Sequence, residues 1–128
     1  MIYLDSSVVL AQLFLEERRP PDGFWRQAVV SSRFLEYEVW NRIFARGFGQ
    51  SLRGEVEAAL RKIDMIDLTS RSLQRALQPF PVAIRTLDAL HLATMDFLQA
   101  NGEPVELASY DARLLAAARA LGIGLVDL

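Results

Sequence analysis

Four acidic residues stand out in this chain by their surroundings. Asp5 directly follows the apolar run Ile2-Tyr3-Leu4, and Asp111 follows Ala108-Ser109-Tyr110 at the end of another. Glu38 and Asp88 lie inside apolar stretches, Tyr37-Glu38-Val39-Trp40 and Leu87-Asp88-Ala89-Leu90-His91-Leu92-Ala93, so burial is expected of both. A buried carboxylate needs a cation or several hydrogen bonds to offset its lost hydration. Taken singly, Asp5 and Asp111 also read as helix N-caps, and Asp88 as an acid favoured by a helix dipole. Glu36, two residues from Glu38, belongs to a different helix face. If the four acids converge, their mutual repulsion calls for a cation, and an all-oxygen donor set selects Mg2+ or Mn2+ over zinc.

The rest of the inventory narrows the chemistry. The 128 residues include no Cys and one His, with 14 Lys+Arg against 16 Asp+Glu. Without cysteine there is no disulfide, iron–sulfur cluster, thiolate zinc site or Cys nucleophile, and one histidine rules out a His-rich metal site. A net charge of -2 argues against bulk adhesion to a polyanion, so a nucleic-acid role must be local. With 52% hydrophobic and 23% charged residues, the composition is that of a soluble globular domain. The N-terminus lacks the pattern of a signal peptide, and no apolar run approaches the roughly 18 residues of a membrane span. A cytoplasmic protein with no membrane partner is expected.

The elements that must position the acids alternate along the chain. Ile2–Leu4 reads as a strand, followed by a helix through Val8, Val9, Leu13 and Leu15, then the breaker cluster Arg18-Arg19-Pro20-Pro21-Asp22-Gly23. Ala28-Val29-Val30 is a second strand, closed by Ser31 and Ser32 before a helix carrying Phe34, Leu35, Val39, Trp40, Ile43 and Phe44. Gly47 and Gly49 lead to a helix over 51–61, and the period-two run 63–68 is a third strand. Helices through Leu73 and Leu77 and over 87–99, a strand over 105–108, a helix over 112–121 with Gly122 at C′, and a strand over 123–126 complete the chain. Strands separated by helices need crossover connections, which imply a mostly parallel sheet with helices on both faces. The class is α/β, and the absence of repeats or linkers predicts one domain over 1–128. In such sheets ligands gather beyond the carboxyl ends of the strands, where Asp5 and Asp111 fall.

Four segments taken in order resemble the PIN-domain nucleases, and in particular the VapC toxins of VapBC toxin–antitoxin pairs. They are Ile2-Tyr3-Leu4-Asp5-Ser6-Ser7, Ser32-Arg33-Phe34-Leu35-Glu36-Tyr37-Glu38-Val39, Leu87-Asp88-Ala89-Leu90-His91-Leu92-Ala93-Thr94 and Ala108-Ser109-Tyr110-Asp111-Ala112-Arg113-Leu114. The third is the most specific, and the resemblance covers nearly the whole chain. It implies a PIN-like three-layer sandwich of about five mostly parallel strands, and a Mg2+- or Mn2+-dependent ribonuclease site. Asp5, Glu38 and Asp88 would be its principal metal ligands, and Asp111 would complete the cluster. Ser6 would be a secondary polar contact, as would Ser109, which stands where many relatives carry Thr. The resemblance also implies an RNA substrate, a VapB-type antitoxin that lays a basic side chain towards the acids, and a homodimer. The expected chemistry is attack on phosphorus by a metal-activated water, releasing a 3′-hydroxyl and a 5′-phosphate.

Other features carry weaker signals. Of the 14 basic residues 13 are Arg, and the stretch from Arg33 to Arg85 holds nine basic against six acidic residues. Arg33, Arg42, Arg46, Arg85 and Arg113 are candidates for RNA backbone contact, against the plainer reading of a solvated helix face. His91, one turn after Asp88, reads as a hydrogen-bonded packing residue. Trp25, Phe34, Trp40, Phe44 and Phe48 read mostly as core, with some free to line a groove for a partner helix. Rival readings are a solitary PIN-domain nuclease in RNA processing, a phosphotransfer domain with Asp5 as nucleophile, and a non-catalytic α/β binding module. Asp5-Ser6-Ser7 lacks the second Asp two residues on that the phosphotransfer reading would want.

Overall fold

The computed structural model describes all residues from 1 to 128. Five strands form one sheet in the order β3-β2-β1-β4-β5: β1 Ile2–Leu4, β2 Val29–Ser32, β3 Ile63–Ile66, β4 Glu106–Ala108 and β5 Gly124–Leu125. Every neighbouring pair is parallel, as the intervening helices require. Those helices are α1 Ser6–Leu13, α2 Phe34–Ala45, α3 Arg53–Leu60, α4 Ser70–Ala76, α5 Thr86–Ala100 and α6 Ala112–Ala120.

The period-two alternation of a strand divides the core in two. Leu4, Val29, Ile63 and Ala108 face one side, where Val8, Val9, Leu35, Val39, Ile43 and Val56 of α1, α2 and α3 cover them. Tyr3 and Leu107 face the other side, against Leu92 and Met95 of α5 and Leu114, Ala117 and Ala118 of α6. This is the α/β three-layer arrangement expected, with α4 packed along α5. Two details differ. The breaker segment contains a 3-10 turn, Asp22–Arg26, which drops Phe24 into the first core cluster. Strand β2 runs on through Ser31 and Ser32, because these pair with Met65 and Ile66 of β3. Gly122 holds a φ of +75° at the end of α6, the left-handed conformation expected of a C′ glycine.

The strand order places the site. From β1 the chain winds outward through β2 to β3, then returns to lay β4 against the other edge of β1. The switch of direction between β1 and β4 opens a crevice at their carboxyl ends. Asp5 ends β1, with its amide donating to Ala108 O at 3.0 Å, and Asp111 begins α6 just after β4. No helix is long and apolar enough to cross a membrane.

Candidate active site

Asp5, Glu38, Asp88 and Asp111 line one cleft of about 490 Å³, together with Ser6, Ser7, Asn41, Arg42 and Arg85. Each acid comes from a different element. Asp5 is buried, and it caps α1 as well as lining the cleft. Its Oδ2 accepts from Ser7 Oγ at 2.6 Å and from Ser109 Oγ at 2.8 Å. The same two hydroxyls accept from Tyr110 N at 2.9 Å and Asp111 N at 2.9 Å, so they stitch the β1–α1 turn to the β4–α6 turn. Asp111 is also a cap: its Oδ1 accepts from Arg113 N at 2.9 Å and Leu114 N at 3.3 Å. In both residues capping occupies one oxygen and leaves the other without a protein donor.

Glu38 is held differently. His91 is fully buried and its Nε2 stands 2.5 Å from Glu38 Oε1, while its Nδ1 stands 2.7 Å from Tyr3 Oη. Ser32 N donates to Tyr3 Oη at 3.1 Å. Ser32 N–H thus donates to the phenol, and the imidazole bridges the phenol and Glu38 through its two nitrogens. Burial pushes the Tyr3 phenol far up, so it stays protonated. The ring of Phe34 lies beside the imidazole, tilted by 40° with centroids 4.2 Å apart. The packing role expected of His91 is present, with a carboxylate of the cleft as its partner.

Asp88, half-buried in the first turn of α5, accepts no hydrogen bond from the protein. Its carboxyl is raised above the ordinary carboxylate range by burial first, then by repulsion from Asp111 and Asp5, with His91 acting in the opposite direction and Glu38 adding to the rise. Asp88 therefore feels the charge of the other three acids. As the side chains stand, no three of them lie close enough together to hold a single ion. The reason is visible: Asp5 is drawn to two serines, Glu38 to His91 and Asp111 to the amides of α6. The donor set still fits a hard divalent cation. Asp5 Oδ1, Asp111 Oδ2 and both oxygens of Asp88 face no protein donor, and both nitrogens of the one imidazole are already engaged.

The remaining candidates separate. Ser6 lines the cleft, but the hydroxyls bonded to Asp5 are those of Ser7 and Ser109. Arg85 and Arg42 line the cleft, and Arg113 lies in an adjoining one. Arg33 lies outside both, exposed and paired with Asp67 and, at 3.4 Å, with Glu36. Arg46 lies over the ring of Phe14 at 4.4 Å. Asn41 was not singled out from the sequence, although its place three residues after Glu38 on α2 puts it on the same face.

Solved structures of similar shape include the toxin VapC20 of Mycobacterium tuberculosis, described as cleaving the sarcin–ricin loop. The TM-score is 0.68 at 19% identity, over 91% of this chain and 95% of that one. A toxin–antitoxin complex from Klebsiella pneumoniae matches with a TM-score of 0.61 at 18% identity, over 99% of this chain and 97% of that one. The fold is the PIN-type α/β sandwich of the VapC20 structure. In sequence, the chain is 33% identical over 131 residues to ribonuclease VapC46 of M. tuberculosis, covering 98% of this chain and 95% of the relative. Ribonuclease VapC35 of the same species is 31% identical over 133 residues, with coverage of 98% and 96%. The chain belongs to the VapC ribonuclease family. No family model matches it.

Proposed function

We propose that this chain is an endoribonuclease toxin of a two-component toxin–antitoxin pair, dependent on Mg2+ or Mn2+ held by Asp5, Glu38, Asp88 and Asp111. The observation that carries the assignment of the site is Asp88: a half-buried carboxylate with no donor, strained by the charges of the other acids in one cleft. A cation bound there would neutralise phosphate charge and render water nucleophilic near neutral pH. The chain's own part is to hold the ligands. Ser7 and Ser109 fix Asp5, and His91, backed by Tyr3, fixes Glu38.

The same geometry favours water over the ribose 2′-hydroxyl as nucleophile. Cyclising cleavage wants a base beside that hydroxyl, and the one histidine is fully buried with both ring nitrogens occupied. The products are then a 3′-hydroxyl and a 5′-phosphate. Cleavage of structured RNA with and without EDTA, with end-group analysis of the fragments, tests both points. Cleavage that survives EDTA would remove the cation, and a 2′,3′-cyclic phosphate would remove the water mechanism.

The partner surface we assign to an antitoxin is the cleft of about 640 Å³ between α2 and α3, lined by Trp40, Phe44, Leu60 and Arg53. Trp40 and Phe44 stack at 5.4 Å and Arg53 lies over Trp40 at 5.0 Å. Phe44 is left 57% exposed, which suits the apolar face of an amphipathic helix.

A further inference from the structure

A second cleft adjoins the acidic one, of about 470 Å³, and the two share Arg85 and Asp88. One wall is the irregular segment between α4 and α5, with Val82 and Ile84, and the other is the face of α6 carrying Arg113 and Ala116, three residues apart. The first wall is built in advance. Pro79 and Pro81 restrict the backbone, while Phe80 packs into the second core cluster with Arg75 over its ring at 4.2 Å. Val82 remains 38% exposed on this wall.

Most arginines of the chain stand outside any ion pair, and both arginines of this cleft are among them. Arg33, Arg53 and Arg75 each form an ion pair with a carboxylate, whereas Arg85 and Arg113 form none although Asp88 lines the same cleft. Two unpaired guanidinium groups beside an apolar floor make a site for a planar apolar group attached to an anion. A nucleotide has that chemistry, and a volume of this size suits one.

We propose that this cleft holds one nucleotide of the RNA strand next to the scissile phosphodiester, with its base against Val82, Ile84 and Ala116 and its phosphate against Arg85 and Arg113. The proposal rests on the ribonuclease reading of the adjoining acids. The strand then passes between Arg42 on α2 and Arg85, across the acids, and into the second cleft, so the acidic residues are flanked by cationic ones on the path of the backbone.

Three variants of the full chain test this: Arg113→Gln, Ala116→Leu, which fills the cleft from an exposed position, and Arg33→Gln as a reference outside it. Binding of a labelled single-stranded RNA is measured in EDTA across a salt series, and cleavage is measured on substrates shortened stepwise on either side of the cut. Arg113→Gln is expected to weaken binding about tenfold and to flatten the slope of log K against log salt by about 0.7. Ala116→Leu is expected to weaken binding with the slope retained. Both should lower kcat/KM only on substrates long enough to reach the cleft, while Arg33→Gln follows the parent protein. Parent-like binding and cleavage in both cleft variants would overturn the proposal. So would loss of affinity for an acidic peptide with RNA binding intact, which would give the cleft to a protein partner. Asp88→Asn separates the two readings: cleavage that persists in it would fell the site assignment, whatever the salt slopes show.

Discussion

The Nε2 atom of His91, on α5, stands 2.5 Å from Oε1 of Glu38, on α2, and the other ring nitrogen is 2.7 Å from the phenol of Tyr3 on β1. Three elements thus meet at one buried imidazole, and an acid of the cleft is the outer end of the chain. Conserving this arrangement matters twice, for packing and for where Glu38 points.

Removing the imidazole is therefore expected to have two separable effects. His91→Ala leaves a cavity and strands both Tyr3 Oη and Glu38, a loss of about 2–4 kcal/mol in urea denaturation. Tyr3→Phe leaves the cavity filled and Glu38 bonded to His91, so its stability loss should be nearer 1–3 kcal/mol, from the orphaned Ser32 amide and Nδ1. His91→Gln retains a donor. It should recover part of the cleavage lost in His91→Ala, which by analogy with outer partners of metal ligands is about 10- to 100-fold. Equal cleavage in all three variants would show that Glu38 needs no positioning.

Asp88 makes stability depend on pH in a direction opposite to that of most paired carboxylates. Its proton is held more tightly in the fold than in the unfolded chain, because burial and then Asp111 and Asp5 disfavour the charge. The stabilising contribution is present in full below the ordinary carboxyl value of 3.8 and is lost as pH rises through the raised native value. At neutral pH the ionised group works against the cation-free fold. Asp88→Asn should accordingly raise the Tm of the cation-free protein near pH 7, the gain shrinking in acid. Added Mn2+ at about 100 times its Kd should stabilise the parent by about 2.7 kcal/mol and the variant by much less. A variant less stable than the parent in EDTA at neutral pH would contradict the strain inferred for this site.

Much of this is legible in the sequence, and the exceptions have physical causes. Parallel sheets put ligands at the carboxyl ends of their strands, so Asp5 and Asp111 could be placed from the runs preceding them. Glu38 is separable from Glu36 by its apolar neighbours Tyr37, Val39 and Trp40. The choice between Ser6 and Ser7 was not legible, because two adjacent hydroxyls differ only in where the first turn of α1 directs them. The partners of His91, Tyr3 and Glu38, lie 88 and 53 positions away on other elements, and local periodicity carries no such information. Among the arginines, sequence distinguishes neither Arg33, which Asp67 neutralises from across the sheet edge, nor Arg113, which nothing neutralises.

The serine pair around Asp5 should behave as a coupled unit. Ser7 and Ser109 both donate to Oδ2, and each also accepts a backbone amide, from Tyr110 and Asp111 respectively. Ser109→Ala is expected to lower kcat about tenfold with a stability loss of about 1 kcal/mol, since Ser7 still holds the carboxylate. Ser109→Thr keeps the hydroxyl and should stay close to the parent. In the double variant Ser7→Ala with Ser109→Ala, Asp5 loses both hydroxyl donors. The loss should exceed the product of the single effects, a double-mutant coupling of about 0.5–3 kcal/mol. Strict additivity would mean that the two hydroxyls serve the turns and not the carboxylate.

The aromatic groove gives the last prediction. Phe44 is exposed and stacked on Trp40 away from the acids, with its ring only 2.8 Å from where a Cβ on Gly49 would stand. Exposed, well-supported aromatics of this kind are where truncation weakens a protein interface most, by at least about 2 kcal/mol at a hot spot. Phe44→Ala should therefore weaken antitoxin binding about 30-fold or more, measured by titration against the purified partner. Gly49→Ala crowds the same ring and should weaken it less, because the flexible Phe44 side chain can turn aside. RNA cleavage measured in parallel without antitoxin decides what the groove is for. If Phe44→Ala loses cleavage as steeply as antitoxin affinity, the aromatics serve the substrate, and the antitoxin must approach the acids by another face.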